Sequence, residues 1–433
     1  MPPVKALVVG GGIAGPAFAH WLSRTGALVT VIERSSAMRT SGQQIDLRGQ
    51  GVEVVKRMGI LPAVRARRVR EPGTQFVDVS GRVWASFPAV ETGTGMQGVT
   101  SEYEIMRGTL VDILYGLTRD KPNVKHLFDT TVDSFTQDEK DAAAGKVHVR
   151  FGDGKEEDFD LVVGADGTGS HTRRMMLGPE APDPRHRKAG YIAFFSAPAE
   201  QGDPPEFTGC MLPGRLPRMI GTRKDVPELT RVYMIMDDTD PAVEAAYLSG
   251  DRAAIKAALA DLYEEGSHWQ CPRLMAALRN APEADDLYCT PFEDVRLPPG
   301  GWSRGRVVLL GDAAHAETAN GYGTSYALIG AYLLAGELAR ALGTPGLAAG
   351  EAVAQAAREY EEKWRPVATA TQGDKPWFGR LAHPRSSLGI SIFQFVAAGV
   401  AFFRMDRMVG LTAASGKWKL PEYPELLAVE EQD

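Results

Sequence analysis

Three apolar runs in this chain each end in a glycine-led stretch whose residue types can do chemistry. LVV at residues 7–9 runs into GGGIAG (10–15), LVV at 161–163 into GADGTGSHTRR (164–174), and RVVLL at 306–310 into GDAAHAETANGYGTS (311–325). In the first, Gly10 permits a tight turn, Gly12 lets backbone approach a pyrophosphate, and Gly15 lets helix and strand pack closely, with Ile13 and Ala14 between them. The next helix meets phosphates with its positive dipole end. Glu33 stands 18 residues after Gly15, at the end of the next apolar run, where a carboxylate can accept both hydroxyls of an adenosine ribose. Strand, glycine turn, helix, strand and acid together predict dinucleotide binding.

The second and third stretches repeat one device, a carboxylate just past a buried strand: Asp166 and Asp312. Asp166 can serve a ligand or simply cap the helix expected near Ser170. Asp312 can accept hydrogen bonds from the hydroxyls of a ribityl chain, and Gly321, Gly323 and Thr324 open a helix whose amides can face the electron-rich edge of a flavin ring. His315 is the one candidate for an acid–base group, and packing at the base of its loop is the commoner role for such a histidine. Three strand-end loops converging on one long cofactor account for the set, whereas an NAD site alone leaves the third without a task.

The elements that must position these residues can be read from pattern. Strands predicted at Val4–Val9 and Leu28–Ile32 flank a helix from Ala14 to Arg24, and the period of Leu110, Ile113, Leu114 and Leu117 predicts a helix over Arg107–Arg119. Phe76–Val79 and Arg82–Trp84 read as a hairpin around Ser80-Gly81. Strands alternate with helices at both ends of the chain, while the middle is strand-rich and then helical, so an α/β nucleotide-binding unit interrupted by a second domain is expected. The length of 433 residues suits two or three packed units. A net charge of -7, with only the short basic clusters RARRVR (65–70) and RHRK (185–188), argues against a nucleic-acid partner. Cys210, Cys271 and Cys289 are odd in number and lack metal-ligand spacing, which predicts no zinc site, no disulfide scaffold and a reducing, cytoplasmic setting. The N-terminus reads as a first strand rather than a signal peptide.

GxGxxG at Gly10–Gly15, GADGxxSxxR at Gly164–Arg173 and GDAAH at Gly311–His315 together resemble the three fingerprints of the group A FAD-dependent monooxygenases. This family includes para-hydroxybenzoate hydroxylase, polyketide hydroxylases and the tetracycline-inactivating hydroxylases, and the likeness is nearest to the last two branches. It implies a Rossmann-like FAD-binding domain with an inserted α+β substrate domain, a β-sheet roof over the flavin, and a C-terminal helical segment. The expected divisions are 1–180 for the first part of the FAD domain, with a hairpin insertion at about 72–100, then 181–290 for the substrate domain, 291–375 for the second part and 376–433 for the helical segment. The resemblance makes Glu33 a ribose ligand with Arg34 beside it, places Arg107, Asp46 and Val132 at the cofactor, and gives Asp166 and Asp312 to FAD. It implies NADPH or NADH as co-substrate and insertion of one atom of O2 into a small molecule, by hydroxylation, epoxidation or a Baeyer–Villiger-type step. The loop Ala316–Asn320 departs from the family pattern in having no proline.

The substrate is expected to be hydrophobic, aromatic or polyketide-like, held by Tyr191, Phe195, Met211, Met219, Tyr233, Met236 and Phe292. Residues 388–403 form an apolar run of 16, short of the ~20 needed to span a membrane. A helix packed on the FAD domain is expected there, with a peripheral membrane contact or a dimer surface as the other readings. The WxWxIP signature of flavin-dependent halogenases is absent. The alternatives to a monooxygenase are an FAD dehydrogenase or oxidase or a redox-neutral flavoprotein, which would share every FAD contact, and a non-catalytic flavin or ligand binder.

Overall fold

The computed structural model describes residues 3–38, 42–69, 72–89, 103–138, 141, 143–266, 268–318, 321–373, 384, 386–402 and 418–427. A six-stranded sheet carries all three glycine-led loops. Its order is Ser303–Arg304, Val307–Leu309, Leu161–Gly164, Lys5–Val9, Leu28–Ile32 and Val124–Leu127, all parallel except the first pair. The strands that lead into the loops are near-continuous apolar runs because parallel strands are covered on both faces, and Leu7, Val8, Val162 and Val163 are fully buried. Register puts Val9 beside Gly164 and Gly164 beside Leu309, so the loops leave neighbouring strands at one end of the sheet.

The helix Ala14–Ser23 is buried at all ten positions, with the helix Gly323–Leu342 packed against it and Ala349–Ala368 packed outside that. Polar content is correspondingly low on Gly323–Leu342, an apolar helix hidden on nearly all sides. Gly336 admits the ring of Tyr423, since a Cβ there would lie 2.2 Å from it, and this docks the segment 418–427.

A seven-stranded sheet stands over the same end. Its order is Tyr288–Val295, Arg185–Pro198, Leu229–Met236, Arg218–Val226, Phe207–Leu212, Gly73–Val77 and Val83–Pro88. The last two strands are the hairpin near residue 80, joined through a parallel pairing of Gly73–Val77 with Phe207–Leu212, so segments far apart in sequence complete one sheet. Helices Pro241–Ser249, Arg252–Glu264 and Cys271–Asn280 cover one face and share a core with it. The other face looks toward the glycine-led loops.

The helix Ser387–Phe402 lies on the outer hairpin strand Val83–Pro88, with Phe393 edge-on to Trp84 at 6.4 Å. The expected helix is thus present, and among the described residues it packs on the hairpin strand that edges the roof sheet. Among the described residues no helix is long and apolar enough to cross a membrane.

Candidate functional site

The first loop has the geometry its glycines require. Gly10 has φ of +119° and donates its amide to Ile32 O at 2.9 Å, and a Cβ on it would lie 2.4 Å from Ala165 O. A Cβ on Gly15 would lie 2.0 Å from Gly10 O, so only glycine lets the helix start this close to the turn. The helix has no side-chain cap and no acidic residue in its first turn, which leaves its positive end for an external anion. Glu33 accepts the amides of Gly11 at 2.9 Å and Ser35 at 3.0 Å, holding the turn to the end of the second strand. Arg34 is exposed beside it. Val132 is buried at the start of Val132–Gln137, in the main core.

The second and third loops resemble each other in sequence and differ in use. Both Asp166 oxygens are engaged: Oδ1 accepts from Ser170 Oγ at 2.5 Å, and Oδ2 accepts from the Thr172 amide at 2.9 Å and its hydroxyl at 3.0 Å. Its carboxylate secures the first turn of the helix His171–Leu177, with Ser170 as the cap itself. The neighbours Ala165 and Gly167, rather than Asp166, line the large cavity between the loops. Asp312 follows Gly311 (φ +63°), and its carboxylate has no hydrogen-bond or ion-pair partner among the described residues. Protein walls around it push its pKa above the ordinary carboxylate range, and Arg107 opposes that shift. Arg173 ties the two loops together, donating Nη1 to Ala313 O at 2.8 Å and Nη2 to Thr168 O at 2.6 Å while nearly fully buried.

The cavity enclosed by the loops measures about 570 Å3. Gly12, Ile13, Ala14, Asp46, Arg107, Asp312, Gly321, Gly323 and Thr324 meet on its walls, as expected from the sequence if they serve one ligand. Arg107 starts the helix Arg107–Gly116, where a cation opposes the dipole, and its guanidinium has no hydrogen-bond or ion-pair partner among the described residues. Asp46 accepts Arg48 Nε at 3.1 Å and Nη2 at 2.5 Å, and the Arg48 amide donates to Ser325 Oγ at 2.8 Å, which knits the strand Gln44–Asp46 to the long helix. That helix begins at Gly323 without a side-chain cap or an acidic residue in its first turn.

The roof supplies residues that the sequence pattern did not reveal: Thr74, Phe76, Phe207, Arg223 and Tyr288, with Glu104 from the strand Glu104–Met106. Arg223 lies over the Phe207 ring at 5.0 Å and the Tyr233 ring at 5.2 Å, and its Nη1 is 3.9 Å from Glu104 Oε2. Glu104 also accepts from Gln44 Nε2. Strand parity was the available signal, because Phe207 and Arg223 share a face with Met211 and Met219 at period two.

Parity also corrects the substrate-pocket expectation. Tyr191, Phe195 and Met236 point to the helix-covered face and pack in its core, Tyr191 donating to Glu244 and accepting from Arg187 at 2.6 Å. Phe195 only borders a second cavity. Met211 and Met219 pair across the opposite face but do not line the large cavity, and Phe292 packs on Gly190. Tyr233 faces the second cavity. Aromatic residues on both faces of one strand cannot be sorted by type, only by which face meets the helices.

His315 is core. It is buried, accepts from Trp364 Nε1 at 3.3 Å through Nε2, and lies 4.9 Å from the Trp302 ring. Burial holds its pKa down to about 4. In the proline-free segment, Thr318 donates its amide to Glu293 O at 3.0 Å and Val295 donates to Ala316 O at 2.9 Å, so the roof sheet holds this stretch. Ala319 and Asn320 lie outside the described residues.

Comparison with known proteins agrees with this geometry. The family model described as FAD binding domain matches residues 3–230. The flavin-dependent monooxygenase eupH of Phoma sp is 42% identical over 429 residues, covering 98% of this chain and 98% of that protein. The FAD-dependent monooxygenase asL4 of Sarocladium schorii is 39% identical, covering 99% and 100%. The crystal structure of tetracycline destructase Tet(55) superposes with a TM-score of 0.75 at 28% identity, covering 98% of this chain and 100% of that one. Klebsiella pneumoniae HpxO, complexed with FAD and uric acid, shares the fold at 20% identity and a TM-score of 0.67, covering 96% and 97%. The glycine-led loops, the roof sheet and these relatives agree, and the chain belongs to the FAD-dependent monooxygenases.

Proposed function

We propose that FAD lies in the large cavity with its pyrophosphate at Gly12–Gly15, its ribityl chain at Asp312 and its ring edge at the amides of Gly323 and Thr324. The observation that carries this is that Arg107 and Asp312, opposite charges with no hydrogen-bond or ion-pair partner among the described residues, line one cavity beside two uncapped helix starts. Both residues are exposed to the cavity, so their charges are open to a ligand of complementary chemistry. Asp312 is suited to accept hydroxyls, and Arg107 to face an anionic or carbonyl edge. Glu33 anchors the turn and stands within the adenosine end, with Arg34 at its rim. When bound, the flavin supplies the redox and oxygen chemistry, with NADPH or NADH as reductant.

The substrate in this reading is a hydrophobic aromatic or polyketide-like molecule lying under the roof, against Phe76, Phe207 and Tyr288, with Arg223 and Glu104 to orient polar groups. The roof excludes water and holds the reacting carbon near the ring. A polycyclic substrate also fits the name of the destructase relative. A cytoplasmic setting is consistent with Cys210, Cys271 and Cys289, all free thiols.

Two measurements on purified enzyme test this reading: stimulation of NAD(P)H oxidation by a panel of hydroxylated aromatics, and mass spectrometry of product formed under labelled O2. One labelled oxygen per product supports it. Product made without label would move the enzyme to the dehydrogenase, oxidase or redox-neutral class.

A further inference from the structure

Beside the large cavity lies a second one of about 370 Å3, and Gln43, Arg107 and Tyr288 line both. The two differ in sign. Arg107 and Arg223 face four carboxylates in the large cavity, Asp46, Glu104, Asp312 and Glu317. In the second, Arg107, Arg231 and Arg252 face only Asp285 and Asp286. Those two acids already have cations, Lys256 Nζ at 2.8 Å from Asp285 and Arg231 Nη1 at 3.4 Å from Asp286. Arg231 is further neutralised by Asp225 at 2.9 Å and 3.0 Å. Arg252 donates to the carbonyls of Asp285 and Leu287 and not to a carboxylate among the described residues. The balance of charge on these walls is therefore positive, carried by Arg252 and by Arg107 on the shared wall.

The same cavity offers a flat aromatic platform. Phe194 stacks with Tyr288 at 6.3 Å and 29°, and Tyr233 meets Phe194 edge-on at 5.1 Å. Tyr288 is half exposed, so its ring is free to take a planar partner.

We propose that the second cavity is the docking site of the reducing co-substrate, a nicotinamide dinucleotide, with its planar ring on Tyr288 and Phe194 and its pyrophosphate toward Arg252 and Arg107. The volume suits the nicotinamide nucleotide half of that molecule. The excess of positive charge on these walls favours an anionic ligand here. The shared wall brings its ring beside the space assigned to the flavin. This inference rests on the assignment of FAD to the large cavity.

The test uses FAD-loaded wild type and the variants Tyr288→Ala, Tyr288→Phe and Arg252→Ala. FAD occupancy is read from flavin absorbance, the Kd for NADPH and NADH from the concentration dependence of anaerobic flavin reduction, and the Kd for NADP+ and NAD+ by calorimetry. Tyr288→Ala and Arg252→Ala should each weaken nucleotide binding about tenfold at unchanged FAD occupancy, while Tyr288→Phe stays within about twofold. Added salt should weaken the wild type more than Arg252→Ala. Unchanged nucleotide Kd in both alanine variants overturns the proposal, as does loss of FAD from Tyr288→Ala, which would give that wall to the cofactor. Wild-type protein that holds no FAD overturns the cofactor assignment, and this proposal with it, before any nucleotide is added.

Discussion

Asp166 and Asp312 leave neighbouring parallel strands through a glycine-led turn, and the fold uses them in opposite ways. Asp166 accepts hydrogen bonds from its own helix start, while Asp312 has no partner among the described residues and opens to the large cavity. The physical difference lies in the residues just after each turn. Ser170 and Thr172 bring donors back to Asp166 within one helical turn, whereas the short helix Asp312–His315 starts after Gly311 with no side-chain cap hydrogen bond. A carboxylate after a buried strand thus becomes a cap or a ligand according to the donors the next few residues supply.

The comparison is most exposed at Arg173, which bridges the two loops. Arg173→Met leaves Ala313 O and Thr168 O buried without a charged donor, and should cost about 4 kcal/mol of stability, read by urea unfolding. A small change would mean that the loops hold their places independently.

The third loop's helix rests on neutral His315, whose folded pKa of about 4 lies below its ordinary 6.5. The unfolded chain binds that proton first, so this stability is full above pH 6.5 and is lost as pH falls toward 4, by about 3 kcal/mol. His315→Phe should flatten the corresponding share of the pH dependence of unfolding. His20, held down to about 3 by burial and by Lys121 and Arg24, contributes in the same direction and would remain. The variant should show no new step in its pH–rate profile between pH 5 and 8, because the imidazole is already neutral there.

Asp312→Ala should weaken FAD binding about 100-fold, or about 2.7 kcal/mol, with little loss of apoprotein stability, measured by FAD titration and thermal unfolding. The reverse pattern belongs to Asp166→Ala: about 1.5 kcal/mol of apoprotein stability lost with its helix start, and FAD affinity within about threefold of wild type. Equal FAD losses in the two variants would erase the distinction.

The centre of the six-stranded sheet could be read from residue order, because three of its buried parallel strands are apolar runs that lead into glycine-led loops. The convergence of Gly12, Asp46, Arg107, Asp312 and Thr324 on one cavity was legible from those runs and from the family likeness. The roof was less so. Tyr191 and Phe195 fit a pocket by residue type, but both belong to the helix-side core, while Phe207 and Arg223 on the opposite face line the cavity. Glu104 and Gln44 drew no notice because their role comes from pairing strands 60 residues apart.

What the sequence determined by itself was local: glycines at positions that tolerate no Cβ, apolar runs that must be buried, and acids at strand ends. These depend on neighbours within a few residues, and backbone sterics and burial settle them. Tertiary structure alone decided which face of each roof strand meets the cavity, which of two similar aspartates has no partner among the described residues, and that the hairpin strands Gly73–Val77 and Val83–Pro88 extend the same roof. Each of those outcomes depends on what packs opposite, and the packing partner lies far away in the chain.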